Sequence, residues 1–212
     1  MKYGILPRGM WALYKRSFQK ALATTVKEPD PAGVMQKAHK EYRAILEDVD
    51  EFDRDDKFIV NILSCSMLVA VLRNMSKPCD VETARIYYEA AMDNALSRYI
   101  VTHTKTYTAK GQAAMKQRAE RSQQIQHPYS WKFTYEAGED VNEYTAIFSA
   151  CGICHLMKQL GMEQYIPAMC AYDYPMNAMA NTEFTRQYTL AGGGPYCDCH
   201  YRHKRTTNHP RA

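Results

Sequence analysis

The sequence predicts an α+β protein: a helical first two-thirds, then a small antiparallel sheet with two helices packed on it. Three observations carry that expectation. Apolar residues recur at helical spacing through most of the first 128 residues. After Pro128 the period changes, with Trp131, Phe133 and Tyr135 alternating with Lys132, Thr134 and Glu136. Near the end, Gly192-Gly193-Gly194-Pro195 marks a tight turn between two short β-prone runs.

Residues 10–27 place Trp11, Tyr14, Phe18 and Leu22 on one helical face among basic residues. This fits a peripheral helix laid on a core, with a membrane or partner helix as the other reading. Glu28-Pro29-Asp30-Pro31 ends it. A second helix runs from Ala32 to about Asp48, followed by the charged connection 48–57. That connection lacks the glycine and terminal glutamate of a calcium loop, so it reads as solvated chain. Lys57 to Met75 is apolar nearly all round and predicts a central buried helix. Asp80 is placed to cap a helix over 81–102, whose stripe of Ile86, Tyr87, Ala90, Met92, Leu96 and Tyr99 reads as core. Residues 109–126 favour helix but carry few large apolar side chains, which suggests an exposed helix or a mobile lid.

Beyond Pro128, strands are expected near 131–136 and 142–149, and helices over 152–160 and 163–180 with Gly161 at the first helix's end. Closing strands are expected over 186–190 and 196–202. The domain expectation is one unit over 1–203, with the site in its part 129–203, followed by a disordered basic tail over 204–212.

The chain has 212 residues, 46% hydrophobic and 24% charged, with a net charge of +4. Lys and Arg are interleaved with Asp and Glu until the last dozen residues, so no nucleic-acid-binding stripe is expected. No apolar run reaches the ~20 residues of a membrane helix, and the start has no secretory h-region. Seven cysteines with no signal segment point to a reducing cytoplasm and free thiols or metal ligands. The expected partner is a small-molecule substrate, with no nucleic acid and no membrane. A homo-oligomer is left open.

Five of the seven cysteines lie within 148–201, together with His155, Asp173, Asp198 and His200. On a helix, Cys151 and His155 would share a face, as would Cys170 and Asp173. On the last strand Cys197, Cys199 and Tyr201 would face one way, and Tyr196, Asp198 and His200 the other. Three readings follow. Cys151-x-x-Cys154 with Cys170 and either Cys197 or Cys199 has donors for zinc or an iron–sulfur cluster. Alternatively, Asp173 or His200 serves as a general base beside a cysteine nucleophile. The third reading is structural, since cysteine is a small buried apolar residue, and it suits Cys65, Cys79 and Cys199 best.

The runs C-G-I-C-H-L-M-K-Q-L-G, P-A-M-C-A-Y-D-Y and R-Q-Y-T-L-A-G-G-G-P-Y-C-D-C-H-Y resemble the L-2-amino-thiazoline-4-carboxylic acid hydrolase family in order and spacing. The resemblance covers most of 130–202 and, more loosely, the helices from about residue 55. Cys199 stands where the family usually has an aromatic, and His200 follows it. The resemblance implies hydrolytic opening of a small cyclic amidine on the way to cysteine. The residues it singles out are Cys154, Cys170, Asp173, Arg186, Cys197 and Asp198. Asp173 would be the base, Arg186 the contact to a substrate carboxylate with His200 beside it, and a cysteine or Asp198 the proton donor. The alternative is a non-catalytic small-molecule sensor with a cysteine-held metal or cluster.

Overall fold

The computed structural model describes residues 1–204. The basic tail expected from 204 onward falls outside them, except for Lys204, whose N–H donates to Asn181 O. The first helix, α1, spans Ile5–Ala21 and runs into a π-helical turn at Leu22–Val26. Asp30 then caps α2 (Pro31–Glu47), accepting from Gly33 N, with Pro31 at a first-turn position where its missing N–H costs nothing. α2 lies along α3 (Ile59–Asn74), the central helix. Every residue of α3 from Ile62 to Leu72 is buried, as its all-round apolar sequence requires. The core around it takes side chains from α1 and α2 and also from the C-terminal part, including Tyr129, Trp131, Leu156, Met169 and Tyr172.

Asp80 caps the next helix as expected, accepting from Thr83 N at 2.7 Å. The single helix expected over 81–102 is two, α4 (Val81–Met92) and α5 (Ala95–Thr102). The break comes from Asn94, whose Oδ1 accepts from Leu96 N and Ser97 N and starts a new helix. The break splits the expected core stripe: Tyr87 and Met92 are buried, whereas Ile86 and Tyr99 face solvent.

Helix α6 (Ala109–Ser122) is a packed element rather than a lid. It covers β1 (Lys132–Ala137), the edge strand of the sheet. Ser122 Oγ accepts from Phe133 N, and Gln123 Nε2 donates to Phe133 O. Its polar side chains thereby satisfy a strand edge that would otherwise be open. Small residues such as Ala119 let helix and sheet approach.

Strand β1 pairs with β2 (Glu143–Ala150), which pairs with β4 (Cys197–His203), which pairs with β3 (Thr182–Thr185). All pairings are antiparallel, in the order β1-β2-β4-β3. Phe133, Tyr144, Ala146, Phe184 and Cys199 are buried on the inner face. Between β2 and β3 lie α7 (Gly152–Gln159), a short 3-10 turn, α8 (Ile166–Ala171) and α9 (Asp173–Met179). Gly161 ends α7 with φ +63°, and Met162 N closes back on Met157 O, a left-handed helix stop that glycine suits. No described helix is long and apolar enough to cross a membrane.

The strand expected over 186–190 is absent. The ladder stops at Thr185, because the N–H groups of Gln187 and Tyr188 are taken by the Asp198 carboxylate instead of a neighbouring strand.

The start of α7 is set by one close approach. A Cβ on Gly152 would lie 1.9 Å from Tyr129 O and 2.9 Å from the Trp131 ring. Gly152→Ala should therefore force the α7 start away from the Tyr129 carbonyl and lower unfolding free energy by roughly 1–3 kcal/mol, measured by chemical denaturation.

Candidate active site

The centre of the C-terminal part is an ion pair. Arg186, just past β3, donates from Nη1 to Asp173 Oδ2 at 2.6 Å and from Nη2 to Cys170 O at 2.6 Å. Its guanidinium also lies 5.3 Å from the ring centroids of Tyr174 and Phe184. The Arg186 side chain is only 7% exposed, whereas Asp173 is 36% exposed. The pair is thus closed on the arginine side and open on the carboxylate side. Asp173 occupies the first turn of α9, where a helix favours a negative charge. Desolvation nevertheless raises its carboxyl above the ordinary aspartate range, against the lowering pull of Arg186.

Thiols gather beside this pair from four places, Cys170 and Cys197 next to it and Cys65 and Cys151 behind them. Cys65 comes from α3, Cys151 from the start of α7, Cys170 from the end of α8, and Cys197 from the start of β4. Cys65 feels Cys151 and Cys170 electrostatically, Cys170 feels Asp173, Cys151 and Cys197, and Cys197 feels Cys151, Arg186 and Asp173. Burial is the leading cause of the upward shift at Cys65, Cys170, Cys197 and Cys199, with Cys170 and Cys199 each pushed up to about 12. These thiols stay protonated at neutral pH and are poor nucleophiles. Cys197 Sγ accepts from Leu190 N at 3.2 Å and so ties the glycine-rich turn to β4.

Cys151 does not share a face with His155. It sits at the N-cap of α7, where extended backbone turns its side chain off the helical period, and its sulfur meets the Cys154 thiol. That contact is the first cause of the upward shift at Cys151, followed by burial. Cys154 packs against the main core, and His155 is exposed against the Tyr129 ring.

Asp198 and His200 lie on the other side of β4. Asp198 accepts from Gln187 N at 3.1 Å and from Tyr188 N at 2.6 Å. Burial raises its pKa, but these main-chain donors, with His200 behind them, outweigh that and hold it below the usual range. His200 is exposed, with Nδ1 2.9 Å from Thr145 Oγ1 and Nε2 3.5 Å from Asp198 Oδ2. The strand alternation therefore divides the candidates. Asp173, Arg186, Cys170 and Cys197 belong to the inner assembly, and Asp198 and His200 to the outer face.

Three neighbours escaped the sequence reading. Cys65 lies on a helix apolar on every side, so its position gave no signal. The buried Tyr88 hydroxyl is 2.8 Å from Ser64 Oγ and feels both Cys65 and Asp173. Tyr172, preceding Asp173, sets its ring edge-on to Tyr88 at 5.5 Å. Nothing in the sequence singles out either tyrosine. Among the described residues no group of three or more His, Cys, Asp or Glu is arranged to hold a metal ion. The zinc or iron–sulfur reading on Cys151, Cys154, Cys170 and Cys197 therefore lacks a donor set.

All these residues fall within 61–201, the segment that matches the L-2-amino-thiazoline-4-carboxylic acid hydrolase family. The chain belongs to that family. No curated protein and no solved structure matches it. For this hydrolase-family chain, the match begins in α3 and ends in β4, leaving α1 and α2 outside it.

The anchoring role of Asp198 has a measurable consequence. Asp198→Ala should free the N–H groups of Gln187 and Tyr188, cost about 1.5–3 kcal/mol and speed hydrogen exchange at those two amides. The lowered pKa has a definite sign: its stabilisation is present above the unfolded-state pKa and is lost as pH falls through the lower folded value.

Proposed function

We propose that this protein hydrolyses a small cyclic amidine of the 2-amino-thiazoline-4-carboxylate kind, with Asp173 as the proton-transfer group. The observation that carries this reading is the Asp173–Arg186 pair, closed on one side, open on the other and lined by neutral thiols. Family membership supports the hydrolase class. No feature of the site favours a non-catalytic sensor.

The chemistry follows from the charges. Water adds through oxygen to C2, the amidine carbon, and Asp173 takes its proton. The adduct collapses with cleavage of the ring carbon–nitrogen bond as the C2 hydroxyl becomes the carbonyl. Both protons of the water, the one held by Asp173 and then the hydroxyl proton relayed by the same carboxylate, pass to the nitrogen, which departs as an amine. Water is consumed and no redox partner is needed. A carboxylate with a raised pKa takes the proton from water more readily than an ordinary aspartate does, and its acid form is populated nearer neutral pH for the return transfer. Arg186 keeps enough of the ionised form for the first half. Being closed in, it meets a substrate carboxylate through its positive charge beside the open side of the pair rather than through freely exposed N–H donors.

The thiols take a different role from the one a cysteine-rich segment suggests. With Cys170 near 12 and Cys197 raised, attack by thiolate gives way to attack by water. Cys170 and Cys197 form the low-polarity wall that lifts Asp173, with Cys154 supporting Cys151 behind them. Asp198 holds the turn that carries Gln187 and Tyr188, and His200 lies outside this wall.

The reading is tested by turnover of the thiazoline substrate with identification of the product. Asp173→Asn should lose about 10²–10⁴-fold in kcat, measured at a temperature where circular dichroism shows the variant folded, since the change also leaves Arg186 without its counter-charge and lowers stability. Cys170→Ser and Cys197→Ser should each keep most of the activity. The acid limb of kcat/KM should rise through a midpoint above the ~3.9 of an unperturbed aspartate. Full activity in Asp173→Asn would remove Asp173 from this role.

A further inference from the structure

The outer face of α1 is not used by the fold. Its inner face buries Trp11, Tyr14, Phe18 and Ala21. On the opposite side Ile5 is 93% exposed, Leu13 63% and Leu6 47%. Leu6 and Leu13 are seven residues apart and lie on one stripe, with Ile5 beside it. Lys2, Arg8, Lys15, Arg16 and Lys20 are all exposed around these apolar side chains. The first acidic residue of the chain is Glu28.

Among the described residues, no carboxylate pairs with Arg8, Lys15, Arg16 or Lys20. Asp30 lines a groove with Arg16 and Lys20, but its carboxylate is engaged in capping α2. The positive field extends onto α2, where Arg43 and Arg8 flank the Tyr3 ring at 5.2 and 5.7 Å. Exposed branched apolar side chains within a ring of unpaired cations are complementary to one kind of surface, an anionic lipid headgroup layer above acyl chains.

We infer that α1 docks this protein onto anionic membrane surfaces, with Ile5, Leu6 and Leu13 entering the headgroup–acyl boundary and Arg8, Lys15, Arg16 and Lys20 contacting the headgroups. This sets aside the expectation of no membrane drawn from the lack of a spanning segment, because a surface helix needs none. A second copy of the chain fits the same face poorly. An isologous contact would set like charges against one another. The docking face also lies outside the segment 61–201, so it is separable from the candidate active site.

The test is sedimentation of the full chain with vesicles of phosphatidylcholine alone or mixed with phosphatidylglycerol, at low and high salt. Wild type should partition onto the anionic vesicles only, and raising the salt should release it. Arg16→Glu with Lys20→Glu, and separately Ile5→Asp with Leu13→Asp, should each lower partitioning by about tenfold or more. Both variants should keep the wild-type circular dichroism spectrum and turnover, since the altered side chains are exposed and lie off the face of α1 that packs on the core. Failure of wild type to bind anionic vesicles, or equal binding to neutral ones, would overturn the inference. So would self-association of wild type that Ile5→Asp with Leu13→Asp abolishes, since it would assign the face to a second copy.

Discussion

The C-terminal part of the molecule is built around the contact between Arg186 and Asp173. A guanidinium with 7% of its surface exposed must have its charge answered, and several elements answer it. α9 supplies the carboxylate and the Tyr174 ring, α8 the Cys170 carbonyl, and β3 the Phe184 ring. Breaking such a pair leaves an uncompensated buried charge, which costs more than the intact pair contributes. The contact therefore fixes how the C-terminal helices seat against the sheet edge. The same enclosure that orders Arg186 leaves Asp173 open on one side and lifts its pKa.

Around the pair, two further constraints make a site of it. α3 forms an apolar floor, and Cys65 with the Ser64–Tyr88 hydrogen bond lies on that floor. The pleat of β4 then sorts its side chains. Cys197 and Cys199 face the interior and stay protonated, whereas Asp198 turns outward and spends its charge on the backbone of 187 and 188. Two aspartates 25 residues apart thus have opposite shifts from opposite surroundings. Of the two, Asp173 is the one whose carboxyl is raised towards neutral pH.

Much of the fold was legible because its signals are local. The all-apolar 57–75 run, the Asp80 cap, the alternation after Pro128 and Gly161 each act within a few residues, and each appears in the structure as read. The failures share one cause, a side chain competing for backbone hydrogen bonds. Asn94 divides a helix, and Asp198 ends a strand from ten residues away. Ser122 and Gln123 turn a polar helix into the cover of a sheet edge. Within the candidate site, Asp173, Arg186 and the thiols could be named from the sequence. That Arg186 grips Asp173 across 13 residues, and that Tyr88 adjoins Asp173 and Cys65 adjoins Cys170 from far earlier in the chain, depends on contacts that no spacing rule encodes.

The most direct test is a carbon-13 NMR titration of the Asp173 side-chain carboxyl, assigned by its loss in Asp173→Asn and followed in wild type without substrate. The account predicts one titration step with a midpoint above the ~3.9 of a free aspartate, rising further in Arg186→Lys, where the two-point grip on Asp173 and Cys170 is lost. A midpoint at or below the free value would show that the carboxyl is an ordinary ion-paired aspartate and contradict the role proposed for it.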